Sequence, residues 1–226
     1  MPNKDKNFYA GHRERLREKF MNNKLADYEK LELLLGYAIP RRDVRPLARA
    51  LVNNFGGVYQ VITAPIEDLI AFDGIGKNTA VFIKLVQQMM QIGYMGQIKE
   101  SPVFHDEAAL HNYCRITFAE KQVEELHVLY LDNDLKLITD EMHTIGTINS
   151  SMVYPREIAR RALDLNARSV VMVHNHPTSI NAFSQDDLDI TLETQAILKS
   201  LGINLYDHLL VSNDSVYSMR ALYMIQ

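Results

Sequence analysis

The sequence predicts a mixed fold class, α+β to α/β: a small all-helical domain followed by an α/β/α domain built on a mixed sheet. Three observations carry this. Apolar residues recur at three- and four-residue spacings from about Tyr28 to Gln91. The stretch from Gln91 to Val103, with Gly93, Gly96 and Pro102, loses that periodicity and reads as a linker. Beyond it, helical segments alternate with short β-branched or apolar runs. The expected boundaries are residues 1–98 for the helical domain and 103–226 for the second.

In the helical part, Leu31, Leu34 and Leu35, then Leu47 and Leu51, then Ile66, Leu69 and Ile70 mark the inward faces of four or five helices. Breakers separate them. Pro40 and Pro46 bracket the polar turn RRDVR, Gly56-Gly57 ends the helix that closes near Phe55, and Gly74 and Gly76 flank Ile75 in a tight connection. Ahead of them, Lys4, Lys6, Arg13, Arg15, Arg17, Lys19 and Lys24 face Asp5, Glu14 and Glu18. That charge run is either a local nucleic-acid patch or, more ordinarily, the solvated face of a charged helix.

In the second part, a helix is expected over Glu107–Phe118 and a strand over Leu126–Leu131. The turn Asp132-Asn133-Asp134 leads to a second strand at Lys136–Thr139. A further extended run, His143–Ile148, precedes a helix that starts at Pro155 and continues to Asn166 with Ile158, Ala162 and Leu165 inward. Ser169–Val173 is a continuous apolar run of the buried-strand kind, then a helix covers Gln185–Ser200, and Leu205–Val211 forms a last strand.

Bulk properties narrow the function classes. With 47% hydrophobic residues, the 226-residue chain has enough apolar material for packed cores. Cys114 is the single cysteine, which excludes an intrachain disulfide and a cysteine-built zinc site and favours a reducing compartment. The net charge of −4 gives no global attraction to phosphate. Neither a membrane-length apolar run nor a secretory apolar segment is visible, so the expectation is a soluble cytoplasmic protein without membrane contact.

The informative segment is VVMVHNHPTSINAFSQDD. Side chains alternate along a strand, so His174 and His176 lie on one side and Asn175 on the other. Pro177 stops the strand, and a seven-residue loop returns the chain to Ser184, three residues before Asp187 in the first turn of the next helix. Two imidazoles and a carboxylate are the ligand set of a catalytic zinc site that keeps a fourth position open. Taken apart, the features are ordinary: a His-x-His pair is often hydrogen-bonded surface, and Ser184-x-x-Asp187 can be a capping box. Their conjunction on adjoining strand end, loop and helix start is what a cap alone does not require.

His174-x-His176, seven residues, Ser184, two residues, Asp187 resembles the full motif of the JAMM (MPN) metalloproteases, and the surroundings are similar to the bacterial RadC family in particular. Gly146-Thr147, Tyr154-Pro155-Arg156-Glu157, the aliphatic run into HNHP and Asp207-His208 carry the narrower likeness, which covers essentially the whole chain. The chain departs from the family at Thr178-Ser179 and Ala182-Phe183, where Ser-Gly and a further Pro usually stand.

The resemblance implies a cytidine-deaminase-like JAMM/MPN sheet domain and a Zn2+ cofactor held by His174, His176 and Asp187. It further implies a zinc-activated water that attacks an amide or isopeptide carbonyl of a peptide or protein substrate. A glutamate must shuttle the proton. The matching position is Glu124, with Glu125 its immediate rival and Glu157 and Glu141 weaker ones. Ser184 would by analogy donate to the developing oxyanion, or simply cap the helix. Asp207 or His208 would support a ligand imidazole from behind, or form a buried structural pair. His105, His111, His127 and His143 show no ligand spacing, and Cys114 reads as a small core residue.

In the helical part, DLIAFDGIGKNTAVFIKLV resembles a helix-hairpin-helix. Gly74 and Gly76 would let the backbone approach a phosphate, and Lys77 and the free amides of the second helix would hold it. Such contacts ignore base sequence, and Asp68 and Asp73 dilute the positive field, so weak, salt-sensitive DNA binding is the most they imply.

Two functions from different classes follow. The first is a zinc-dependent, peptidase-like hydrolase joined to a DNA-associating helical module. The second is a DNA repair or recombination accessory protein whose metal site is structural or vestigial. A nuclease is disfavoured, because one zinc on two histidines and an aspartate lacks the second metal common in phosphoryl chemistry.

Overall fold

The computed structural model describes residues 5–103, 107–118, 121–145, 155–177, 181–212 and 215–225, with side chains described from residue 11 onward. Gly146, Thr147, Tyr154, Thr178, Ser179 and His105 lie outside them. The chain separates into two compact units, residues 1–89 and 90–226.

The first unit contains α1 (Asp5–Met21), α2 (Asp27–Ala38), α3 (Arg45–Phe55), α4 (Val58–Thr63), α5 (Ile66–Ala71) and the beginning of α6 (Lys77–Glu100). Its core gathers the residues whose spacing marks the helix faces: Leu31, Leu35, Leu47, Leu51 and Leu69, joined by Val61, Ile75 and Ile83. Each such side chain removed from water contributes about 1.5–3 kcal/mol. Gly56 ends α3 in the left-handed conformation, φ 93°, which a residue without a Cβ adopts at no steric cost. On α1 the positive charges are largely committed to the protein. Arg13 donates to the carbonyls of Arg42 (2.8 Å) and Ile39 (3.3 Å), Lys19 pairs with Glu29 (2.8 Å), and Arg17 pairs with Glu14.

The linker expected at 91–103 is corrected: α6 continues to Glu100. A glycine inside a helix costs about 1 kcal/mol and does not by itself end it. Tyr94, Met95 and Ile98 still recur at helical spacing, and all three pack into the apolar core of the second unit.

The second unit is built on a five-stranded sheet, ordered β2-β1-β3-β4-β5. The strands are β1 (Glu125–Leu131), β2 (Leu137–Ile145), β3 (Ser169–Asn175), β4 (Asn204–Ser212) and β5 (Ser215–Ser218). Only β3 and β4 run parallel; every other neighbouring pair is antiparallel. The helices are α7 (Glu107–Phe118), α8 (Pro155–Asp164) and α9 (Gln185–Ser200). Alternation along the strands feeds two cores. Leu126, Val128, Tyr130, Val170 and Met172 pack with α8 and α9 on one face. Leu129, Leu131, Val171 and Val173 pack with α7 and the end of α6 on the other. A strand covered on both faces needs apolar residues at every position, which is why Ser169–Val173 reads as an unbroken run.

Two strand expectations are corrected. The separate runs at Lys136–Thr139 and His143–Ile148 are, through Ile145, one strand paired along β1, with register shifts at Leu126/His127 and Tyr130/Leu131 absorbing the irregular pattern. A short strand, β5, follows the one expected to be last. Its hairpin is tied by Asp207, which accepts from Ser218 Oγ (2.6 Å) and from the backbone N–H groups of His208 (2.7 Å) and Arg220 (3.1 Å). No described helix is long and apolar enough to cross a membrane.

Candidate metal centre

The site forms where β3 ends beside β4 and under the start of α9. His174 is the penultimate residue of β3 and points to the α8/α9 side of the sheet. His176 follows it, with its backbone N–H still bonded to Val211 of β4 (3.0 Å). Ser184 is the N-cap of α9 and Asp187 its N3 residue. Their capping box has the Ser184 hydroxyl accepting from the Asp187 N–H (3.1 Å), while Ser184 N–H and Oγ–H donate to Asp187 Oδ2 (both 2.7 Å). A carboxylate in a helix's first turn also faces the positive end of its dipole.

This construction brings the donor groups of three residues together, each Asp187 oxygen facing one imidazole. His174 Nε2 lies 3.1 Å from His176 Nε2 and 3.4 Å from Asp187 Oδ1, and His176 Nε2 lies 3.6 Å from Asp187 Oδ2. Ligands bonded to one tetrahedral ion at 2.0–2.2 Å stand about 3.3–3.6 Å from each other, so the triangle has the dimensions of a common first shell. Glu124 closes the group, its Oε1 at 4.0 Å from His176 Nε2, and one ligand atom from each of the four residues falls within 4.8 Å of the others. The donor set of two imidazoles and two carboxylates fits a divalent cation. Burial by itself would raise the pKa of Asp187, but the neighbouring His174 and His176 rings and the Ser184 cap outweigh it and lower it below the usual carboxylate range.

The rival glutamates are engaged elsewhere. Glu125 turns to Lys121 (3.1 Å) and His127 (3.3 Å), Glu141 is gripped by both Arg161 Nε and Nη2 (2.6–3.0 Å), and Glu157 pairs with Arg160 (3.0 Å). Ser184 sits in its cap with its hydroxyl hydrogen directed at Asp187 rather than at open space. The Asp207-His208 pair divides its work: Asp207 serves the β4–β5 hairpin, whereas His208 Nε2 lies 2.8 Å from His174 Nδ1. Burial pushes the His208 imidazole well below its ordinary pKa, helped by the neighbouring His174. Of the remaining histidines, His127 contacts Asp140 (2.8 Å) and His143 contacts the Tyr130 hydroxyl (2.8 Å), both within the sheet.

Two contributors escape the sequence reading. Asn175, the residue between the histidines, faces the opposite side of the sheet and is 1% exposed. Its Oδ1 accepts from Glu125 N–H (2.9 Å) and its Nδ2 donates to Val123 C=O (3.1 Å), bracketing Glu124. The signal available was that a buried amide must find partners. Thr191, one turn beyond Asp187 on α9, donates to the Asp187 carbonyl and lies 2.5 Å from His208 Nδ1.

In the first unit, α5 and α6 meet through a turn in which Gly74 has φ 89° and Ile75 is buried. A Cβ at Gly74 would stand 3.2 Å from Leu47 Cδ1 and 3.4 Å from Arg42 Nη2. Around Gly76, by contrast, there is open space. Gly76 and Lys77 are exposed at the start of α6.

With a parallel β3/β4 pair, helices on both sheet faces and a His-His-Asp-Glu cluster at the strand ends, the second unit has the architecture of a JAB/MPN domain. Residues 104–224 match the RadC-like JAB domain. The chain belongs to the RadC family. A UPF0758 protein of Ruegeria pomeroyi is 40% identical over 217 residues, covering 95% of this chain and 97% of that protein. One of Fusobacterium nucleatum is 37% identical over 218 residues, 92% and 94% of the two chains.

Proposed function

We propose that the chain is a zinc-dependent hydrolase of peptide or isopeptide bonds. One observation carries the reading: His174 Nε2, His176 Nε2 and Asp187 form a triangle with sides of 3.1–3.6 Å, with the Glu124 carboxylate beside it. His174, His176 and Asp187 would hold the ion, and the nitrogen-rich set of three protein ligands favours Zn2+ with an open fourth position. A zinc ion bound there supplies a lowered pKa for water and polarisation of a carbonyl.

The chain's residues do the rest. Glu124 Oε1 takes a proton from the attacking water and returns it to the departing amine nitrogen, so no net proton is lost as the C–N bond breaks and the C–O bond forms. Asn175 holds the backbone on either side of that carboxylate. The neighbouring His174, His176 and Ser184 favour the charged form of the Asp187 carboxyl, which sets a negative charge against the cation. For Ser184 to donate to a substrate oxygen, its hydroxyl hydrogen must leave Asp187 Oδ2.

The helical unit supports a second component of the reading, weak non-specific DNA association through Gly74, Gly76 and Lys77. The observation that favours it is the exposed, unobstructed backbone at Gly76. The test of the hydrolase is a panel of peptide, isopeptide and DNA substrates with the zinc-loaded protein and its Glu124→Gln variant. Cleavage of a peptide or isopeptide that is lost in the variant is expected. A metal-loaded protein that turns over no member of the panel overturns the enzymatic reading in favour of a DNA-associated accessory protein with a structural metal.

A further inference from the structure

We propose that His208 is a positioning residue that fixes His174 in the tautomer with a bare Nε2 facing the pocket, and that Thr191 sets the direction of this relay. The inference rests on the metal-site reading above but is decided by hydrogen-bond bookkeeping. The Thr191 hydroxyl donates to the carbonyl oxygen of Asp187, one turn earlier on α9. A hydroxyl has a single hydrogen, so toward His208 Nδ1, 2.5 Å away, Thr191 can only accept. His208 Nδ1 therefore carries the hydrogen.

His208 is wholly buried, its ring nitrogens taken by Thr191 and His174, with the Phe183 ring tilted against it at a centroid distance of 5.6 Å. A charged imidazole there would be costly, so the ring holds one hydrogen and its Nε2 is a lone pair. That lone pair lies 2.8 Å from His174 Nδ1, and it accepts the Nδ1–H of His174. A neutral His174 is thereby left with a bare Nε2, the atom 3.4 Å from Asp187 Oδ1 and 3.1 Å from His176 Nε2. Reversing any link would put a hydrogen on that nitrogen and block ligation.

The relay also closes a loop between two ligand residues. It starts at the Asp187 carbonyl on α9, crosses to β4 through Thr191 and His208, and ends at His174 on β3. Two ligands from separate elements are held by one chain of hydrogen bonds among wholly buried side chains.

The experiment uses the full chain. Two-dimensional 1H–15N spectra of the histidine-labelled, metal-free protein report the His174 tautomer directly. Competition with a chromophoric chelator reports Zn2+ affinity for the parent, His208→Leu, His208→Gln and Thr191→Val. The parent is expected to carry the His174 hydrogen on Nδ1. His208→Leu should lose about 10–100-fold in Zn2+ affinity, and His208→Gln, which keeps an acceptor toward His174, should recover most of it. Thr191→Val, nearly the same shape without the hydroxyl, should fall between.

A parent His174 with its hydrogen on Nε2, or a folded His208→Leu that binds Zn2+ like the parent, overturns the proposal. If His208→Leu does not fold, the parent spectrum and Thr191→Val decide. A parent that binds no Zn2+ would defeat the metal reading instead, and the metal-free spectrum would still decide this one.

Discussion

Asn175 Oδ1 accepts the backbone N–H of Glu125 at 2.9 Å, a bond that ties the strand carrying the histidines to the segment carrying Glu124 across fifty positions of sequence. The same side chain donates to Val123 C=O, so the residues before and after Glu124 are both fixed. Asn175→Ala leaves that donor and acceptor without their partner. Losing both should cost about 2–4 kcal/mol in urea unfolding and speed amide exchange at Glu125. Zn2+ affinity should change far less, because Asn175 faces away from His174 and Asp187. A variant as stable as the parent would show that Asn175 does not hold this segment.

The reach of that bond marks where sequence reading stops. His174 and His176 were legible because strand alternation puts them on one side, and Asp187 because it falls in the first turn of a helix whose cap is visible. The buried strand was legible because both of its faces are covered. What keeps Glu125, Glu141 and Glu157 away from the donor group that holds Glu124 is engagement with Lys121, His127, Arg161 and Arg160, residues whose proximity depends largely on strand pairing and helix placement. The continuation of α6 past Gly93 and Gly96 was hidden for a related reason. It is decided by the packing of Tyr94, Met95 and Ile98, not by local propensity.

Cys114 is buried at 0% exposure. Burial first, then the carboxylates of Asp140 and Asp207, push its thiol well above the ordinary range. The thiolate is the reactive form, so iodoacetamide at pH 8 should leave the native protein unmodified and label it only as it unfolds. Labelling that follows the urea transition is expected. Rapid labelling of the folded protein would contradict the burial.

Glu141 has its carboxyl held below the ordinary value of 4.5, chiefly by the two-pronged hydrogen bond with Arg161, which outweighs desolvation. A carboxylate depressed in the folded state stabilises above its unfolded pKa, and that contribution disappears as pH falls through the folded value. Glu141→Gln should therefore lower the urea midpoint at pH 7, and the two proteins should converge below pH 4.5. Added salt should narrow the gap at pH 7, because the Arg161 side chain is 39% exposed. An equal gap at pH 3 and pH 7 would exclude the ion pair as its origin.

Gly74 and Gly76 should respond differently to alanine. Gly74→Ala forces φ 89° on a residue with a Cβ, against Leu47 and Arg42, and should cost about 1–2 kcal/mol. Gly76→Ala meets nothing and should leave stability near the parent's, while its added methyl obstructs any phosphate approaching that backbone. Fluorescence anisotropy with a short duplex at low salt should then show weak binding by the parent and less by Gly76→Ala and Lys77→Glu. Binding unaffected by either change would remove the hairpin from any DNA contact.

Elemental analysis of the purified protein after dialysis against Zn2+ is the sharpest test of an ion shared by His174, His176 and Asp187. About one zinc per chain is expected for the parent and for Glu124→Gln, and far less for His176→Ala, which removes one of the three proposed ligands. A zinc-free parent, or a His176→Ala protein carrying as much zinc as the parent, would rule out a shared ion at these residues.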